Sequence, residues 1–171
     1  GHFVKDLCVE ELKKLNPDLL LLNELFDAVS IDSILFYLDL KGNMNIIHLL
    51  MPLLNKRFSY DQLKRFYISG FDRHYMDLIK CYDVPAYYGF TTDNNLHYED
   101  LKYMVERNYY NKIPLQFVCF HWTCLDNMNI QYLHKHNIQV FTYISENVEK
   151  PLPVDFTKQF SLDGIVMNYL C

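Results

Sequence analysis

The stretch LFYLDLK at residues 35–41 decides the fold, because it is a short apolar strand that runs into polar residues at its C-terminal end. Two later stretches have the same form, ISGFD at residues 68–72 and LDGIVMN at residues 162–168. Sequence of helix length follows the first two. This pattern is typical of a parallel β/α barrel, in which functional groups gather at the C-terminal ends of the strands.

Apolar strand patterns alternate with helical patterns along the whole chain. After two helices over residues 10–14 and 19–29, we predict six strands, over residues 34–40, 65–69, 85–90, 114–122, 138–144 and 164–169. The segments between them predict helices, over residues 44–55, 73–81, 98–108, 127–136 and 156–160. Short links between strands and helices favour right-handed βαβ units and a parallel sheet.

A closed barrel of this class needs about eight strands, and the pattern supplies six. A short doubly wound sheet is therefore an alternative fold. No Gly-rich phosphate loop follows a strand, so a nucleotide-binding version of that fold has no support.

Composition narrows the class of protein. The 171 residues are 50% apolar, which is enough for one globular domain over residues 1–171. The net charge of -5 argues against a nucleic-acid-binding surface, and no apolar run is long enough to cross a bilayer. Five cysteines without framework spacing indicate free thiols in a reducing compartment, and we expect a cytoplasmic protein.

The three stretches resemble, in order and wording, the glycerophosphodiester phosphodiesterase family of phospholipase-C-like barrels. DLK at residues 39–41 is similar to the Glu-x-Lys of the family's third strand. SGF at residues 69–71 is similar to its Ser-Ser-Phe strand end, and DGIV at residues 163–166 to its eighth strand. The resemblance implies a (β/α) barrel with the first two strands missing, which is about three quarters of the family fold.

The resemblance also implies a site. In the family, Glu and Asp side chains on the second and third strands hold Mg²⁺ or Ca²⁺, and two His residues act as general acid and base. Only two of these positions have counterparts here, Asp39 for the metal and Lys41 for the phosphate. Tyr143 stands where the family often carries a substrate-lining Trp. His121 lies at the end of a predicted strand and would face the mouth of the barrel, as a third substrate-binding candidate.

Each of these residues has a simpler interpretation. Lys41 is equally well explained as an ordinary strand-end charge, and Tyr143 is better explained as a core residue. Cys119, His121 and Cys124 invite a zinc interpretation, but a fourth ligand is not evident.

The resemblance implies a divergent family member, catalytically inactive as this chain, that serves a binding or structural role with a glycerophosphodiester or another phosphate as ligand. The alternative is an active metal-dependent hydrolase of lipid metabolism that releases glycerol 3-phosphate, if an upstream segment supplies the His and acidic residues. Missing strands would leave two open sheet edges. We expect the N-terminal helices to cover these edges, or the chain to self-associate through them.

Overall fold

The computed structural model describes residues 7–110, 112, 115–144 and 159–166. The chain divides into two compact units, Gly1–Leu35 and Phe36–Cys171. The expectation that residues 1–171 form a single family-like domain stays a prediction.

The first unit contains two short helices, α1 (Val9–Leu15) and α2 (Leu22–Ala28). Glu24 defines the start of α2, because its carboxylate accepts the backbone N–H of Leu21 at 2.8 Å. The same side chain accepts a hydrogen bond from Lys13 Nζ at 2.6 Å and so links the two helices. The helix predicted from residue 19 therefore begins three residues later, at the point where Glu24 can cap it.

The elements of the second unit are β1 (Phe36–Leu40), α3 (Asn45–Arg57), α4 (Tyr60–Leu63), β2 (Phe66–Gly70), α5 (His74–Ile79), β3 (Tyr87–Thr92), α6 (Tyr98–Tyr110), β4 (Phe117–His121), α7 (Asn127–Lys135), β5 (Gln139–Tyr143) and β6 (Gly164–Val166). From β1 to β5 the second unit alternates strands and helices as the sequence predicts. Most of the helix predicted over residues 156–160, and the last three residues of the strand predicted over 164–169, lie outside the described residues. The strands follow one another in the sheet in chain order, and every neighbouring pair is parallel. The predicted α/β fold with six parallel strands is confirmed, and the doubly wound alternative is wrong, because that fold needs a reversal of strand order.

Helix α4 is absent from the predicted elements, although the sequence carries its signal. Ser59 Oγ accepts the backbone N–H of Gln62, and Gln62 Oε1 accepts the N–H of Ser59 at 3.1 Å. This reciprocal pair is a capping box, with the spacing Ser-x-x-Gln. The helix has only four residues and therefore leaves no apolar periodicity to detect.

Ring contacts across the sheet show that it curls into a half-barrel. The ring centroids of Tyr37 on β1 and Phe141 on β5 are 6.4 Å apart. Strands four places apart in a flat sheet would lie about 19 Å from each other. Tyr67 and Phe117 complete this group, which we call the aromatic cluster, with ring separations of 5.4 Å from Tyr67 to Phe141 and 5.1 Å from Phe117 to Phe141.

The opposite, convex face of the sheet packs against the helices. Strand residues Phe90, Val118 and Val140 are buried together with Leu101 of α6 and Leu133 of α7. The strands are therefore apolar on both faces, as the nearly continuous apolar runs in the sequence predict.

Gly89 makes room for the aromatic cluster on the concave face. A Cβ atom at this position would lie 2.5 Å from the Phe117 ring and 2.5 Å from the Phe117 carbonyl oxygen. Glycine is required here by the close approach of β3 to β4.

Strands β1 and β6 lie at the two ends of the sheet formed by the described residues, since each pairs with one neighbouring strand. Open sheet edges carry unpaired backbone groups that favour association. Covering of these edges by the N-terminal helices, and self-association through them, stay predictions. Within the same residues, no helix is both long and apolar enough to span a bilayer.

We predict that Gly89→Ala lowers the free energy of unfolding by on the order of 1–3 kcal/mol, because the added methyl meets backbone as well as a ring. Gly164→Ala is the matched control, since its Cβ would lie 3.2 Å from the Phe141 ring, a contact that a small ring movement relieves. Urea unfolding measures both. Equal losses in the two variants would contradict the role given to Gly89.

Candidate functional site

Polar and aromatic side chains from four strands meet at the C-terminal ends of the sheet. Lys41 follows β1 and Phe71 follows β2, while His121 and Tyr143 are the last residues of β4 and β5. His121 and Tyr143 are also register partners. We call these four residues, together with Asp39 of β1, the strand-end mouth.

The mouth residues form a continuous row of contacts from β1 to β4. Lys41 Nζ lies 5.7 Å from the centroid of the Phe71 ring. The Phe71 ring meets Tyr143 nearly edge-on at 6.1 Å, and the Tyr143 ring meets His121 at 5.0 Å. The structure thus brings together the three predicted substrate-binding residues, Lys41, His121 and Tyr143, and adds Phe71 between them.

The His121 ring is held in place by the turn that follows β4. Its Nδ1 atom lies 2.7 Å from Thr123 Oγ1. Beyond this hydroxyl, Cys124 Sγ donates a hydrogen bond to the Asp93 carbonyl oxygen at 3.2 Å. Sequence reasoning missed Thr123 as a partner of His121, because the 3-10 turn over Trp122–Cys124 that brings it back to the ring has no clear sequence pattern.

No protein-family model and no curated protein sequence matches the chain. Solved structures do match. A glycerophosphodiester phosphodiesterase from Thermotoga maritima superposes with a TM-score of 0.68 at 21% identity, over 96% of this chain and 67% of that one. A structure assigned to a glycerophosphodiester phosphodiesterase of Galdieria sulphuraria gives 0.74 at 19% identity, over 99% and 69% of the two chains.

The chain has the glycerophosphodiester phosphodiesterase fold. It spans about two thirds of those two proteins. A third structure, assigned to a glycerophosphoryl diester phosphodiesterase of Silicibacter pomeroyi, matches at 15% identity with a TM-score of 0.57, over 79% of this chain and 47% of that one. The six parallel strands therefore correspond to part of an eight-stranded barrel.

The family resemblance implies a divalent cation, and Asp39 is its expected ligand. The Asp39 side chain is 30% exposed, and its Oδ2 atom lies 3.3 Å from Lys41 Nζ. Nowhere in the described part of the chain do three His, Cys, Asp or Glu side chains come close enough together to hold a metal ion. A hard divalent cation takes about six or more oxygen ligands. The described residues alone therefore do not fit such a cation. The zinc interpretation of Cys119, His121 and Cys124 also fails, because these three side chains do not form a group that could hold a metal ion.

Three hydroxyl groups meet on the concave face, where Tyr37 of the aromatic cluster contacts the buried Ser69 and Thr91. Ser69 Oγ donates to the Tyr37 hydroxyl at 2.8 Å and lies 2.9 Å from Thr91 Oγ1. Burial raises the pKa of Tyr37 above its ordinary value, so its hydroxyl stays protonated. Isolated Ser and Thr residues in apolar strands are the sequence signal for this cluster, but only the curl of the sheet shows that they meet.

Two groups, Cys119 beneath the mouth residue His121 on β4 and Tyr143 in the mouth itself, are neutral at neutral pH. Burial raises the pKa of the Cys119 thiol to about 12, an effect that the Tyr37 hydroxyl opposes and the Asp39 carboxylate increases. Burial also raises the pKa of Tyr143 to about 12, and the Asp93 carboxylate adds to this effect. At neutral pH, Tyr143 can therefore donate a hydrogen bond, and Cys119 is not a thiolate nucleophile.

We predict that iodoacetamide at about pH 8 alkylates Cys119 at least about a hundredfold more slowly than Cys81. Cys119 is buried and its thiol is un-ionised at this pH, whereas Cys81 is exposed. Peptide mass mapping over time measures both rates in one sample, and a urea-unfolded sample is the control in which the rates converge. Comparable rates in the folded chain would contradict the closed environment described for Cys119.

Proposed function

We propose that this chain is a divergent glycerophosphodiester phosphodiesterase-like protein that binds a phosphate-bearing ligand at the strand-end mouth and does not hydrolyse it by itself. The observation that carries the proposal is the row of contacts from Lys41 through Phe71 and Tyr143 to His121. It joins a cation, two aromatic faces and an imidazole at the end of the sheet where this fold class places its ligand sites.

Lys41 is suited to receive the phosphate. Its ammonium group is a compact charge with three donors, and its side chain is 73% exposed. The nearby Asp39 carboxylate holds it at the mouth, but an exposed ion pair of this kind contributes about 0–1 kcal/mol. A phosphate oxygen can therefore compete for the ammonium group without a large cost.

The aromatic residues suit the rest of such a ligand. The Tyr143 hydroxyl is protonated at neutral pH, and burial raises its pKa further, so it can donate a hydrogen bond to an ester or alcohol oxygen. Phe71 is 42% exposed and offers a ring face to an apolar or cationic group. His121 adds a further ring nitrogen at the far end of the row.

Hydrolysis of a phosphodiester makes further demands. The developing charge on the phosphate must be stabilised, and the departing alkoxide must receive a proton. The described mouth offers one ammonium group and one imidazole, and its Asp39 carboxylate is already paired with Lys41. These groups support binding better than catalysis.

The placement of Asp39 favours one alternative. Its carboxylate is at the end of β1, with a partly exposed side chain, where the resemblance expects a metal ligand. Joined to further carboxylates and His residues, it would complete a metal-dependent phosphodiesterase that releases glycerol 3-phosphate and an alcohol.

We predict that Lys41→Ala weakens binding of inorganic phosphate and of glycerophosphocholine by at least about tenfold, or about 1.4 kcal/mol. Titrations followed by NMR of the labelled chain measure the dissociation constants. Lys64→Ala is the control, because this substitution removes the same charge at a different place, where Lys64 pairs with Asp61 on α4. A loss of the same size in both variants, or no loss in Lys41→Ala, would overturn the assignment of the phosphate to Lys41.

A further inference from the structure

A cavity lies at the opposite end of the sheet from the mouth, where β4 and β5 begin. Leu115 and Ile138, which line it, come just before these two strands. The ends of two helices contribute the other lining residues, among them Asn108 and Tyr109 in the last turn of α6 and His136 directly after α7. The volume of this basal cavity is about 430 Å³, within the range of about 300–1,000 Å³ that small-molecule sites occupy.

The floor of the basal cavity is apolar. Val105 and Ile138 are buried and belong to the core between the sheet and the helices α6 and α7, and Leu115 packs against that core. A ligand that lies on this floor removes apolar surface from water, which favours binding. The floor therefore suits the apolar body of a small molecule.

Two hydrogen-bond acceptors line the same cavity, and both belong to exposed side chains that a ligand can reach. The Glu106 carboxylate only accepts. His136 Nδ1 lies 2.9 Å from the Tyr132 carbonyl oxygen. Because a carbonyl only accepts, Nδ1 carries the proton, and in the neutral ring Nε2 is then an acceptor. The two side chains together favour a ligand that is rich in donors.

The electrostatics of the basal cavity favour a cation. Among the described residues that line it, Glu106 carries a full charge at neutral pH and none is Lys or Arg. Burial raises the pKa of Tyr132 on α7, and the Glu106 carboxylate adds to this effect, so its charge acts on the side of α6 that faces α7. The C-terminal ends of α6 and α7 add partial negative charges of about half an elementary charge each. Tyr109 also lines the cavity with a ring that can receive a cation.

We infer that the basal cavity binds a small amidinium or guanidinium compound, whose N–H groups donate to the Glu106 carboxylate and to His136 Nε2. A planar cation of this kind suits a carboxylate because it donates through two parallel N–H groups. Its apolar body lies on the floor formed by Val105, Leu115 and Ile138. The inference does not rest on the proposed function, because the two sites lie at opposite ends of the sheet.

Three probes of the same planar shape test the inference: benzamidinium, benzamide and benzoate, each titrated into the labelled chain and followed by NMR. Benzamidinium should give saturable shifts at Val105, Asn108 and Ile138, with a dissociation constant on the order of 1 mM for so few atoms. Benzamide should bind at least about tenfold more weakly, and benzoate should not bind. Equal binding of benzoate, shifts confined to the strand-end mouth, or no saturable shift would each overturn the inference.

Matched variants locate the charge. Glu106→Gln keeps the size of the side chain, and it should weaken benzamidinium about tenfold, to the level of benzamide. Glu99→Gln is the control, because it removes the same charge from an exposed position in the first turn of the same helix, outside the cavity. Unchanged binding in Glu106→Gln, or equal losses in both variants, would overturn the inference.

The part given to the imidazole has its own test. His136→Phe keeps a ring but removes Nε2, and it should weaken benzamidinium severalfold, whereas an unchanged dissociation constant would overturn the assignment of His136. Phosphate binding at Lys41, measured on the same samples, should be equal in the unmodified chain and all three variants. Failure of the cation site and failure of the proposed phosphate site are therefore distinguishable.

Discussion

The packing of four aromatic rings inside the curl of the sheet is the interaction on which the rest of this structure depends. In a closed eight-stranded barrel, side chains from all strands fill the interior in layers. The described sheet has six strands, and Tyr37, Tyr67, Phe117 and Phe141 fill its concave side with rings 5.1–6.4 Å apart. Each such side chain buries about 150–250 Å². Large rings therefore hold β1 and β5 close enough for one mouth to form.

The aromatic cluster determines the geometry of the strand-end mouth. Along β1 the pleat places Asp39 two residues beyond Tyr37, and along β5 it places Tyr143 two residues beyond Phe141. Residues two apart on a strand share a face, so the residues that follow the rings point to the same concave side. Lys41, Phe71, Tyr143 and His121 meet because the rings beneath them have already curled the sheet.

Much of this architecture could be predicted from the sequence. The strand–helix alternation predicts the parallel order, and the DLK stretch correctly places Asp39 and Lys41 at a strand end. What could not be predicted are contacts between residues far apart in the chain, such as Ser69 with Thr91, or Phe71 with Tyr143. These contacts depend on the degree of curl, which arises from the fit of the rings and from Gly89, and local patterns carry no information on it. Strand ends are also imprecise, since β4 begins at Phe117 rather than at the predicted residue 114.

The central proposal is that this chain binds a ligand at the C-terminal end of a glycerophosphodiester phosphodiesterase fold and does not hydrolyse it. The most direct test is hydrolysis of glycerophosphocholine with Mg²⁺ or Ca²⁺, measured as release of glycerol 3-phosphate for the chain and for Asp39→Ala. Our account predicts no release above the buffer background with either metal, in either protein. Release that Asp39→Ala abolishes would contradict it and would show that a working metal site includes Asp39.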